Sequence, residues 1–175
     1  EADALDAWLV HYSTDYVFDG TKTSAYVEDD PPSPLNAYGR SKLAGDRAIQ
    51  AATRNHTIVR VSWVYGLAGR NFPKTILKLA SERDELRVVA DQFGAPTSAD
   101  LIAEVTAEII RRHLGVSVRT AARPARGIFN VAPSGHASWH EFAVELIREA
   151  RAQGWPLKVS EKDIVSIATE QYPTP

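Results

Sequence analysis

Short apolar, β-rich runs alternate along the chain with stretches in which apolar residues recur every three to four positions. The runs lie at residues 8–13, 57–64, 86–89 and 127–131. Their Val, Ile and aromatic content suits the pleated, half-buried surface of a strand. Between them the spacing becomes that of a helix with one buried face. Asn36 is placed to cap a helix running to about Thr53 through Leu43, Ala44, Ala48 and Ile49. Asn71 opens a second, with Pro73 early in its first turn, where no N–H is needed, and Ile76, Leu77 and Leu79 following. Thr97 or Ser98 opens a third, carrying Leu101, Ile102, Val105, Ile109 and Ile110 on its apolar side. Ser138-Trp139-His140-Glu141 reads as a capping box that leads into Phe142, Leu146 and Ile147 and ends near Gly154.

Strands alternating with helices predict an α/β domain with a largely parallel sheet. Ligands of such sheets sit beyond the carboxyl ends of the strands, which points to the segments after Ser13 and Val61. Composition adds exclusions. With 44% apolar and 24% charged residues the 175-residue chain is an ordinary globular sequence, and its net charge of −2 gives no bulk electrostatic reason to bind nucleic acid or a membrane. The absence of cysteine excludes a disulfide scaffold, a thiolate metal site and a cysteine nucleophile. No apolar run approaches the ~18 residues of a membrane span, and the first residues do not read as a signal peptide. The chain opens on Glu1 and contains no Met, so it is expected to be an internal piece of a longer protein. Arg111, Arg112, Arg119, Arg123 and Arg126 form a local cluster without acids, read as a helix end followed by a solvated loop. His136 and His140 stand four apart, but His136 precedes the capping Ser138, so the two are not expected on one helical face and no metal site is expected.

The residues that bear chemistry lie early. Tyr38 and Lys42 stand at i and i+4 and share a helical face. A free phenol, with a pKa of ~10, exchanges protons poorly at neutral pH, and a neighbouring cation favours its ionised form. The pair is a reasonable acid/base unit for a carbonyl/alcohol interconversion. The plain alternative is a surface tyrosine beside a solvated lysine. Upstream, His11-Tyr12-Ser13-Thr14-Asp15-Tyr16 carries a strand into a polar turn and sets the Thr14 hydroxyl at the strand's carboxyl end.

Five blocks extend this. STDYVFDG (13–20), PLNAYGRSKLAGD (34–46), RVSWVYG (60–66), DQFGAPTSADL (91–101) and GIFNVAPSGHASWHEFA (127–143) together resemble, in order, the dTDP-4-dehydrorhamnose reductases of the extended short-chain dehydrogenase/reductase family. The resemblance implies the carboxyl-terminal part of a Rossmann-like, doubly wound parallel sheet plus a small α/β substrate-binding portion. Residues 1–66 would be the remaining dinucleotide-binding part with Thr14, Tyr38 and Lys42. Residues 67–175 would be mostly substrate-binding, with segments returning to the sheet. Matched motif by motif, Tyr38 is the proton donor to the sugar's C4 ketone. Lys42 assists it and holds the nicotinamide ribose, so both residues also touch cofactor. Thr14 orients the ketone, and Asp15 and Trp63 contact the substrate. Trp63 just past a strand end would offer a deoxysugar an aromatic face, its plain alternative being a core tryptophan.

The implied reaction is hydride transfer from NADPH or NADH to dTDP-4-dehydro-L-rhamnose, giving dTDP-L-rhamnose, in a cytoplasmic enzyme that a homodimer would suit. No glycine-rich G-x-x-G-x-x-G turn is present in the 175 residues, so the chain by itself is expected not to bind dinucleotide. Two other readings share some of these blocks: a non-catalytic regulatory subunit like the β subunit of methionine adenosyltransferase, and another nucleotide-sugar epimerase or dehydratase. Ser62-Trp63 and DQFGAPT favour the reductase over the first. The lack of a second acid after Asp15 weakens the second.

Overall fold

The computed structural model describes residues 1–116 and 125–172. In chain order the elements are β1 (Leu9–Thr14), α1 (Ala37–Ala52), β2 (His56–Val61), β3 (Val64–Tyr65), α2 (Phe72–Glu82), β4 (Leu86–Val89), β5 (Phe93–Gly94), β6 (Thr97–Ser98), α3 (Ala99–His113), β7 (Gly127–Val131), β8 (Ala137–Ser138), α4 (Trp139–Ala152) and β9 (Ile164–Ile167). Arg119 and Arg123 of the arginine cluster lie outside the described residues. No described helix is long and apolar enough to cross a membrane.

The chain divides into two compact units, Glu1–Ser62 with Asp100–Ala132, and Trp63–Ala99 with Pro133–Pro175. In the first, β1, β2 and β7 form a parallel sheet with β2 in the middle, Leu9 facing His56 and Thr57 facing Gly127. The central strand is consequently the most buried: Thr57, Ile58 and Val59 are fully covered, and Arg60 nearly so. Parallel neighbours need a crossover, and α1 supplies it between β1 and β2. Leu43 of α1 packs with Val17 and Phe18 from the turn after β1. Trp8 ties the sheet's entry together, its indole N–H donating to Thr57 Oγ1 at 3.0 Å while its ring stacks on His113 at 3.9 Å.

The second unit has its own core of Ile76 and Ala80 from α2, Leu86 and Val88 from β4, Ala143 and Ile147 from α4, Val159 and Ile164. Each Val, Leu or Ile among them contributes ~1.5–3 kcal/mol on burial. β4 pairs parallel with β9, β3 parallel with β6, and β5 antiparallel with β8.

The caps stand where the sequence puts them. Asn36 accepts the Gly39 N–H, Asn71 accepts the Lys74 N–H, and Ser138 and Glu141 close a reciprocal capping box. One expectation is corrected. The run 57–64 is not one strand: β2 stops at Val61, and Trp63 takes a left-handed backbone, φ 44°, that swings the chain out of the sheet before β3 begins. Ser98 stands immediately before Ala99, the first residue of α3, as the sequence places it, and with Thr97 it also pairs as β6 with β3.

Candidate functional site

The site is built where β1 ends. Thr14 is the last residue of the strand and is buried. Its hydroxyl oxygen accepts the Tyr16 N–H at 3.2 Å, which caps the single 3-10 turn Asp15–Val17, and its O–H donates to Asp15 Oδ1 at 3.0 Å. Burial pushes the Asp15 carboxyl above its usual range, against the opposing pull of the Thr14 hydroxyl and the N–H groups of Asp15 and Tyr16. Burial, reinforced by the charges of Asp15 and Tyr38, also raises the Tyr16 phenol.

The first turn of α1 is seated against this turn by its cap and by a glycine. The Gly39 N–H donates to Asn36 Oδ1 at 2.7 Å. A Cβ on Gly39 would run into the Tyr16 carbonyl and come within 3.0 Å of Pro34 Cβ, so no larger residue permits the approach. Tyr38, one residue earlier, meets Tyr16 edge to face, with ring centroids 5.8 Å apart at 77°. Tyr38 is 56% exposed, which leaves its phenol open to a ligand arriving from solvent.

One helical turn on, the Lys42 ammonium donates to the Tyr12 carbonyl at 2.6 Å and lies 3.3 Å from His11 Nε2. A further turn on is Asp46, wholly buried, accepting the Ser13 hydroxyl at 2.7 Å. Thr14 and Asp15 thus stand at the carboxyl end of β1, with Tyr38 beside Tyr16 of the following turn and Lys42 beside the Tyr12 carbonyl of the strand. Sequence reasoning missed His11, Ser13, Gly39 and Asp46. The available signals were the four-residue steps Tyr38, Lys42, Asp46 along one helical face and the alternation of His11 with Ser13 along the strand.

Trp63 belongs to the second unit, where its indole stacks on Trp139 with centroids 3.4 Å apart at 8°. Gly94 lies against the ring as well, since a Cβ there would collide with the indole. The Trp63 carbonyl accepts the Thr97 N–H at 3.2 Å, which anchors the left-handed residue. Trp63 is thus packed against protein and remains half-buried. His140 directs Nε2 to the Ile164 carbonyl at 3.1 Å from within α4, while His136 precedes that helix.

A parallel sheet whose strand-end threonine faces a Tyr-x-x-x-Lys helix has the layout of a short-chain dehydrogenase/reductase. The family model described as RmlD substrate binding domain matches residues 1–175, and the chain belongs to that family. A dTDP-4-dehydrorhamnose reductase of Sinorhizobium fredii is 46% identical over 175 residues, covering 99% of this chain and 56% of that protein. One of Escherichia coli K12 is 44% identical over 174 residues, with coverage of 99% and 56%. The crystal structure of the Bacillus anthracis dTDP-4-dehydrorhamnose reductase in complex with NADP superimposes with a TM-score of 0.83 at 34% identity, covering 98% of this chain and 55% of that one. The chain spans about half the length of the curated relatives it matches.

Proposed function

We propose that the protein reduces the C4 ketone of dTDP-4-dehydro-L-rhamnose to dTDP-L-rhamnose with NADPH or NADH. The observation that carries this reading is the seating of the first turn of α1, which bears Tyr38, against the Asp15–Val17 turn, made by Gly39, in a chain of this family. The names of the relatives support the substrate, and the NADP bound to the Bacillus anthracis enzyme favours NADPH. Those names do not favour the regulatory-subunit or epimerase/dehydratase readings.

The residues present fit the nicotinamide ribose of a dinucleotide and a ketone. An ammonium has three N–H donors. Lys42 directs donors at the Tyr12 carbonyl and His11 Nε2, which leaves a third for a ribose hydroxyl. Bound NADPH or NADH supplies the hydride. On binding, the Thr14 O–H turns from Asp15 Oδ1 to the ketone oxygen and directs that oxygen toward the Tyr38 phenol. Tyr38 gives its proton to that oxygen as negative charge builds on it, and the Lys42 ammonium stabilises the phenolate left behind. Asp15 contacts the sugar beside Thr14. Trp63 is a further substrate contact in this reading.

The test is direct: the natural protein is given chemically prepared dTDP-4-dehydro-L-rhamnose and each reduced dinucleotide. The expected result is equimolar loss of reduced nicotinamide and gain of dTDP-L-rhamnose, faster with NADPH. Failure to turn over this ketone with either dinucleotide removes the reading. With it go two further expectations, a homodimer, read by light scattering, and a cytoplasmic location, read by cell fractionation.

A further inference from the structure

Beneath the Tyr38–Lys42 pair runs a chain of polar side chains that the proposed chemistry does not use. α1 presents Tyr38, Lys42 and Asp46 at successive turns, and β1 answers with His11 and Ser13, alternate residues pointing to one side. Ser13 donates to Asp46 Oδ2 at 2.7 Å, and Arg60 Nε of β2 stands 3.9 Å from the same oxygen. Asp46 Oδ1 is buried and has no hydrogen-bond partner among the described residues. A buried, unmatched carboxylate oxygen is costly and calls for a donor. His11 Nε2 stands 3.6 Å from it, just beyond hydrogen-bond reach. That same nitrogen lies 3.3 Å from Lys42 Nζ.

One ring nitrogen cannot serve both neighbours in one protonation state. With a lone pair on Nε2 it accepts from the Lys42 ammonium; with a proton on Nε2 it repels that ammonium and is drawn to Asp46 Oδ1. We propose that His11 is a positioning residue for Lys42, holding the ammonium as a neutral acceptor, and that protonation of His11 hands Nε2 to Asp46 and releases Lys42. The inference rests on the reading that Lys42 serves Tyr38 and a ribose. With the Tyr12 carbonyl and His11 both engaged, two of the ammonium's three donors are fixed and the direction of the third follows from tetrahedral geometry. Without His11 the ammonium swivels about one hydrogen bond.

The charged groups facing the imidazole are Lys42 and Asp46 from α1, with Arg60 of β2 behind Asp46. Burial, and then the Lys42 charge, hold His11 below the usual histidine range, with Asp46 opposing them. The release of Lys42 therefore falls on the acid side of the ordinary histidine value of ~6.5.

Nitrogen-15 NMR of histidine-labelled natural protein, without substrate, tests the placement. At neutral pH the His11 ring should carry its proton on Nδ1, and Lys42→Met should raise the His11 titration midpoint. A proton on Nε2 at neutral pH, or an unmoved midpoint, overturns the proposal and needs no assay of turnover. Kinetics test the consequence. His11→Ala should lower kcat about tenfold or more with the sugar KM changed less than about threefold, because positioning rather than binding is lost. His11→Gln, whose amide oxygen can accept from Lys42, should recover most of the loss, and its kcat profile should lack the acidic limb of the parent. An unchanged acidic limb in His11→Gln overturns the proposal. The two readings fail separately: turnover surviving Tyr38→Phe removes the reductase chemistry and leaves the NMR result intact. An Nε2-protonated His11 beside an inactive Tyr38→Phe protein removes only the role of His11.

Discussion

A single hydrogen atom, the side chain of Gly39, sets how near Tyr38 comes to the turn after β1. Gly39→Ala places a methyl group against the Tyr16 carbonyl, which is backbone and cannot rotate away. The helix must shift, and a displacement of ~1 Å at a reacting group costs about 100-fold in rate. Turnover should fall on that scale while the melting curve records a loss of ~1–3 kcal/mol. Tyr38→Phe is the complementary change. It deletes one exposed oxygen, so the fold and nucleotide-sugar binding should survive while most turnover is lost. Turnover within about threefold of the parent, ~0.7 kcal/mol of barrier, would exclude the proton-donor role. Tyr38 and Lys42 were legible because their relation is four residues along one helix. Gly39 was not, because its neighbour is the carbonyl of Tyr16, and a glycine in a helical pattern gives no sign of what its missing Cβ would strike. The same holds for Trp63: its strand-end position could be read, but the covering of its ring by Trp139 and Gly94 depends on residues remote in sequence.

Elements form here by local rules at helix starts and by remote ones at short strands. The caps Asn36, Asn71 and Ser138 act on N–H groups three residues away, so their sequences announce them. β3, β5, β6 and β8 are two residues each, too short for any alternation, and exist only because a distant segment pairs with them. The capping box of α4 gives a prediction with a definite sign. The Ser138 backbone N–H, and then its hydroxyl, hold the Glu141 carboxyl below its usual range. A carboxyl depressed in the folded state adds stability that is whole above its unfolded value of ~4.3 and is lost as pH falls through the folded value. Glu141→Gln should therefore melt below the parent at neutral pH, and the gap should close as the pH is lowered below the unfolded value of ~4.3. A gap independent of pH would assign the effect to shape rather than charge.

At the scale of the molecule, each of the two units has a hydrophobic core among the described residues. Ile147→Ala deletes a fully buried side chain from one of them and should cost ~2–5 kcal/mol there. Native-state hydrogen exchange should lose protection in α2, α4, β4 and β9 and keep it in β1, β2 and β7. Equal losses in both sets would mean that the units open as one. The alternation of strands and helices made the parallel sheet of β1, β2 and β7 readable, since parallel pairing demands an intervening crossover.

The order in which those three strands leave a ribosome is not their order of completion. β1, α1 and β2 are all translated by Val61, but β2 has its second neighbour only when β7 emerges at Gly127–Val131, after the whole of Trp63–Ala99 has been delivered to the other unit. At ~5–20 residues per second the nascent chain spends roughly 4–14 s with one side of its central strand bare. That strand, with Ile58 and Val59 fully buried in the finished protein, is an open template for a neighbouring polysome's product during the interval. Slowing translation between the codons of Val61 and Val131 should lower soluble yield, and a chaperone that shields β-edges should restore it.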